Sequence, residues 1–151
     1  MGISHVEMSP LQMVGLTYTD IHVRPFIHRD NDGEVLAPVI EFSDIDLACR
    51  VGCQRLSEQG DRDPEYIVEV LVNLSEEQVV EHQLPYVISV EASGQFRLVG
   101  DIDPARQDEV VEVNGASLVV GALRQLVADL TARSSHGAIT LPTLRFVPER
   151  E

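Results

Sequence analysis

The run from Ala116 to Arg133 constrains this chain most, because it carries more apolar side chains than one small sheet can cover. Wound at about 100° per residue, Leu118, Val119, Val120, Ala122, Leu123, Leu126, Val127 and Leu130 fill an arc of roughly 200°. A helix lying on a sheet needs only about 100°. Arg124, Asp129 and Arg133 are its only charged residues. An apolar strip of this size is uncommon on the surface of a monomer and marks an interface. The pattern predicts self-association through Leu118, Val119, Gly121, Leu123 and Ala128. Gly121, Ala128 and Ala132 form a seam of small residues that lets a second helix approach closely. Cover by loops of the same chain is the alternative.

Upstream of the helix the chain alternates. From Leu11 to Val23, Val14, Leu16 and Tyr18 fall on one face and Thr17, Thr19, Ile21 and Val23 on the other, and Pro25 closes the strand. Asp30-Asn31-Asp32-Gly33 is a strong turn signal. Ile45, Leu47, Cys49, Val51 and Cys53 then alternate with Asp46, Ala48, Arg50, Gly52 and Gln54, a strand with one buried and one wet face. After the polar turn Ser57 to Pro64, a third strand carries Tyr66, Val68, Val70, Val72 and Leu74. Ser75-Glu76-Glu77-Gln78 reads as a connection. Leu84 to Ala92 reads as a fourth strand, which Phe96 and Leu98 continue past a bend or bulge at Gly94.

Asp101 to Glu112 reads as an acidic loop leading into the helix, with Asn114 or Ser117 as its cap. Four strands on short connections followed by one helix define an α+β fold: a four-stranded antiparallel sheet with one long helix packed on it. One domain accounts for all 151 residues, with 1–10 and 147–151 expected to be flexible.

Charge narrows the partners. The chain has 25 Asp plus Glu against 11 basic residues, all of them Arg, for a net charge of −14. Phosphate binding needs clustered cations, and anionic membrane surfaces attract the same, so neither nucleic acid nor a membrane surface is an expected partner. A basic protein partner would be steered towards the chain. No run approaches the about 18 apolar residues of a membrane span, and no secretory leader pattern opens the chain. A cytoplasmic protein without membrane insertion is expected. Cys49 and Cys53, four residues apart on a strand, have Cα atoms roughly 13 Å apart, beyond the about 7 Å that a disulfide allows. They read as two core thiols in a reducing compartment.

Motifs for catalysis are missing. Histidines 5, 22, 28, 82 and 136 fall in no metal-ligand spacing. Asp20-x-His22 puts both side chains on one side of a strand, but one pair is too few for a tetrahedral site. Asp30 to Glu34 has its glycine at the wrong position for a calcium loop. No G-x-S-x-G elbow, Walker loop or dinucleotide fingerprint is present. The chain therefore reads as a binding protein rather than an enzyme, with no metal and no cofactor.

In their order and spacing these segments resemble the SecB family of bacterial export chaperones, from Leu11 to about Phe146. Leu11-Gln12-Met13 through Tyr18-Thr19-Asp20-Ile21 is similar to the family's opening strand, and Val90 to Phe96 with Leu98 and Gly100 to its glycine-and-phenylalanine strand. Leu118 to Arg124 resembles the start of its long helix. Gly137 with Leu141 to Phe146 resembles the segment that follows.

The resemblance implies a homotetramer, a dimer of dimers with long helices packed between protomers. It implies that unfolded preproteins are held in apolar grooves without ATP or a cofactor and delivered to the translocase motor SecA at an acidic sheet face. On this reading the client contacts are Phe26, Phe42, Leu98, Leu141 and Phe146, joined by main-chain pairing at exposed strand edges. Asp20 matches an acidic motor contact, and Glu76 and Glu77 fall in the loop that carries another.

The chain departs from the family in three places. Arg24 stands where the family has a second acidic contact, and Val120-Gly121-Ala122 replaces an aromatic-proline-aromatic run. The family's second C-terminal helix is expected to be truncated or absent. The shortened C-terminus favours an alternative on the same scaffold: a dedicated binding protein for one partner, such as an antitoxin or a phage or secretion component.

Overall fold

The computed structural model describes residues 2–58 and 62–148. Met1, 59–61 and 149–151 lie outside the described residues, and with them part of the polar turn and of the two terminal segments expected to be flexible. The two central strands follow directly from their alternation. β5 (Glu65–Leu74) and β6 (Tyr86–Leu98) turn Tyr66, Val68, Val70, Val72, Leu74, Tyr86, Ile88, Val90, Ala92, Phe96 and Leu98 to one face, all fully buried. β1 (Leu11–Pro25) flanks β6 and β4 (Ala48–Arg55) flanks β5, which completes an antiparallel sheet of order β1-β6-β5-β4. A separate two-stranded ribbon, β2 (His28–Arg29) with β3 (Val35–Leu36), carries the Asp30 turn. There Asp30 Oδ1 accepts the amides of Asp32 and Glu34 at 2.9 Å.

Helix α2 (Gln107–Thr131) lies across the apolar face and buries Val111, Gly115, Ala116, Val119, Val120, Leu123, Val127 and Thr131. It starts well before Ala116, inside the stretch read as an acidic loop. Asn114 and Ser117 are therefore interior residues rather than caps, and Ser117 Oγ donates to the Val113 carbonyl at 2.9 Å. Asp108 and Glu109 sit in the first turn, where their charge complements the helix dipole. Contrary to expectation, α2 is long and apolar enough to cross a membrane by length and composition, with a mean hydropathy of 1.3. Its apolar side packs on the sheet, as in a core helix.

Three further details differ from the expectation. Ser75 to Gln78 is not a plain connection, because Ser75 Oγ accepts the Gln78 amide at 3.3 Å and caps α1 (Glu76–His82). β1 carries bulges at Val14 and Thr19, each of which resets the alternation. Leu11, Met13, Leu16, Tyr18, Ile21 and Val23 consequently share the helix-side face, opposite Leu98, Phe96, Gly94, Ala92, Val90 and Ile88. Finally, β4 is an edge strand whose apolar residues are largely uncovered, and Ile45 and Leu47 precede it.

Gly94 marks no bulge in β6. A Cβ there would come within 2.6 Å of Phe96 Cε2 and 2.8 Å of Val119 Cγ2, so glycine lets α2 settle onto the strand. Gly115 does the same from the helix side, where a Cβ would meet Val68 Cγ2 at 2.9 Å. Two histidines act as braces: His28 Nε2 hydrogen-bonds the Leu84 carbonyl at 2.6 Å, and His136 Nε2 the Phe26 carbonyl at 2.9 Å.

Gly94→Ala should destabilise the protein by about 1–3 kcal/mol through overpacking. Gly52→Ala on β4, where an added Cβ meets nothing, should change stability by no more than about 0.5 kcal/mol. Urea unfolding followed by circular dichroism checks both.

Candidate functional site

α2 leaves one side of the sheet's apolar face open. On β4, Cys49, Val51, Cys53 and Arg55 face the helix side, opposite Val72, Val70, Val68 and Tyr66. Both thiols, expected in the core, are exposed because β4 is the outermost strand. Between β4, the N-terminal half of α2 and the C-terminal segment lies a groove of about 500 Å³. Val51, Val113, Ala116 and Phe146 give it apolar walls, and Asp108, Glu109 and Glu112 an acidic rim. Partial burial pushes the Cys49 thiol up. It raises Cys53 to about 11, helped by the carboxylates of Glu112 and Asp108.

A hydrogen-bonded cluster fixes the acidic end of the groove. Tyr66 Oη donates to Asp108 Oδ1 at 2.7 Å and accepts Arg55 Nη1 at 3.0 Å. Arg55 also donates to Gln107 Oε1 at 3.3 Å and lies 5.5 Å from the Tyr66 ring centroid. β4, β5 and the first turn of α2 are thereby held together. Burial pushes the Tyr66 phenol up to about 12, and its hydrogen bond to the charged Asp108 adds to the rise. Among the described residues, Glu109 and Glu112 form no ion pair.

The expected site residues divide sharply by burial. Phe146 lines the groove, and Phe26 and Phe42 are half-buried against the core. Leu98 and Leu141 are fully buried, so they cannot act as surface contacts for a client. Val119 and Leu123, expected between protomers, are also fully buried, because they face the chain's own sheet. Gly121 stays open, Ala128 is half-buried, and Leu118 keeps 46% of its surface. Part of the excess apolar arc is covered by the chain itself: Ile139 and Leu141 pack into the core, and Arg124 Nε donates to the Leu141 carbonyl at 3.0 Å.

Asp20 and Arg24 share the sheet face turned away from α2. Asp20 Oδ1 lies 3.1 Å from His22 Nε2, and Glu76 Oε2 lies 3.4 Å from Arg24 Nη2. Glu77 is exposed in the first turn of α1. No cluster of three metal-ligating side chains occurs among the described residues. The groove's acidic rim falls in 101–112, whose polarity suggests a loop, yet Asp108 and Glu109 form the first turn of α2, where helix starts collect carboxylates.

No family model and no curated protein matches this chain. Solved structures do. A protein of unknown function from Streptococcus agalactiae matches with a TM-score of 0.56 and 16% identity, over 87% of this chain and 96% of that one. The Mycobacterium tuberculosis SecB-like chaperone Rv1957, in complex with a ChAD peptide from the Rv1956 HigA1 antitoxin, matches with a TM-score of 0.50 and 17% identity. That match covers 89% of this chain and 90% of that one. The architecture is the SecB-like fold.

Tyr66 keeps its proton to about 12 in the folded chain but loses it near 10.0 when unfolded. The stability it contributes is therefore complete below pH 10.0 and is lost as the pH rises to about 12. Tyr66→Phe should flatten the fall in unfolding midpoint over that interval, as measured by thermal unfolding at stepped pH.

Proposed function

We propose that this chain is a SecB-like chaperone that holds extended, non-native polypeptide without ATP or a cofactor. The observation that carries this reading is the groove beside β4. There a strand edge unpaired among the described residues, an apolar wall of Val51, Val113 and Ala116, and an acidic rim meet in one place, with Phe146 of the C-terminal segment against them. An extended client adds its main chain to the β4 edge and lays alternate side chains on the wall. The carboxylates favour segments that carry positive charge. Phe26 and Phe42, half-buried outside the groove, are further candidate client contacts.

A second apolar margin suits assembly. On β1, Tyr18 and Ile21 lie on the helix-side face yet keep 41% and 46% of their surface. On α2, Leu118, Ala122 and Leu126 fall on the flank away from Arg124. A homotetramer, a dimer of dimers, buries this margin between protomers.

The export part of the proposal is cytoplasmic residence and hand-over to SecA through Asp20, Glu76 and Glu77. Here the structure favours the alternative, a holder dedicated to one partner. Arg24 beside Glu76 and His22 beside Asp20 set cationic or ionisable groups against two of the three carboxylates. A motor recognising an acidic face would meet a weakened one.

Solution mass and suppression of aggregation of several unrelated unfolded proteins test the reading. A tetramer protecting many of them supports a general chaperone, and protection of one co-purifying protein alone supports the dedicated holder. A stable monomer that protects nothing sinks both. Leu118→Asp should lower the mass and leave the circular dichroism spectrum intact, whereas Leu123→Asp should unfold the chain, because it places a charge in the core.

A further inference from the structure

Residues 138–148 run back along α2. Gly137, with φ of 79°, reverses the chain after the helix. The Ile139 amide then donates to Thr131 Oγ1 at 3.0 Å, and the Leu141 carbonyl accepts Arg124 Nε at 3.0 Å. By residues 146–148 the segment reaches Glu109 and Glu112, near the other end of the helix. Its two parts are held differently. Ile139 and Leu141 are fully buried anchors. Among the described residues, 142–148 make no main-chain hydrogen bond. Side chains alone hold them: Leu144 and Phe146 are half-buried against the core, and Thr143, Arg145 and Val147 are exposed.

An extended segment with alternate apolar side chains inward and a cation between two of them has the chemistry the groove selects. Leu144-Arg145-Phe146 is such a segment, and its Phe146 lines the groove with Asp108, Glu109 and Glu112. We propose that residues 142–148 are a resident pseudo-client, a strap that occupies the groove wall and that an incoming segment must displace. This rests on the groove being the client site. Tethering at Leu141 keeps the strap at a high local concentration, of the order of mM for short links. It lacks the main-chain pairing that the free edge of β4 offers, so a client with similar side chains has hydrogen bonds available that the strap does not make. Apparent client affinity is then the intrinsic affinity reduced by the fraction of time the strap is open.

The test uses a fluorescent peptide of alternating Leu or Phe and Arg residues and the full chain. Leu144→Ala with Phe146→Ala weakens the strap, and the peptide should bind this variant about tenfold tighter than the unsubstituted chain. Equal or weaker binding by a folded variant overturns the strap. NMR of the unsubstituted chain gives a second readout that no substitution disturbs. Bound peptide should move the Leu144 and Phe146 side-chain signals to random-coil positions, as they leave the core they pack against, and slow amide exchange along β4. Unmoved Leu144 and Phe146 signals, with β4 protected, overturn the strap and leave the groove as the client site. A peptide that binds neither form overturns the groove reading, and the strap with it.

Discussion

The approach of α2 to the sheet at Gly94 and Gly115 sets the shape of everything around it. With no Cβ on either residue, Phe96 and Val119 close the gap directly, and the helix sits low over β5 and β6. A helix is about 10 Å across and strands lie about 4.8 Å apart, so one helix covers about two strands of four. The margins on β1 and β4 are therefore a geometric remainder. On the β4 side the remainder is filled in part by the chain's own C-terminal segment. On the β1 side Tyr18 and Ile21 remain partly open.

How much of this was legible in the sequence depended on whether local pattern or tertiary context decided the matter. β5 and β6 are central strands rich in Val and Ile, and alternation found them with their buried face. β4 alternates just as clearly, but alternation tells which residues share a face and not whether anything covers it. Cys49 and Cys53 are exposed for that reason. The faces of β1 could not be counted from the sequence, because two bulges each shift the phase by one residue. α1 is signalled by Ser75-x-x-Gln78, a capping pattern that a polar, acidic stretch disguises as a loop. In α2 the apolar arc is wider than the sheet covers, and Leu118 and Leu130 stay exposed. Which half of it faced home could not be read, and Val119 and Leu123 lie on the sheet side rather than between protomers.

Charge is distributed by purpose rather than evenly. The outer sheet face sets Arg24 against Glu76 and His22 against Asp20. At the groove, Asp108 is held in place by Tyr66 and Arg55 while Glu109 and Glu112 stand without ion pairs among the described residues. Only the Asp108 carboxylate thus has a set position, whereas the Glu109 and Glu112 side chains keep their rotamer freedom.

The bulges at Val14 and Thr19 have a consequence beyond the phase of β1. A sheet with two outer strands is at risk of growing from copy to copy, since any straight outer strand can recruit another without limit. Twisting the β1 border at two points spoils its register for such recruitment, whereas the β4 border pairs with β5 without a break. One border of the sheet is thus straight and the other broken, so stacking of sheet on sheet, edge to edge, meets a mismatched border and stops short of a fibre.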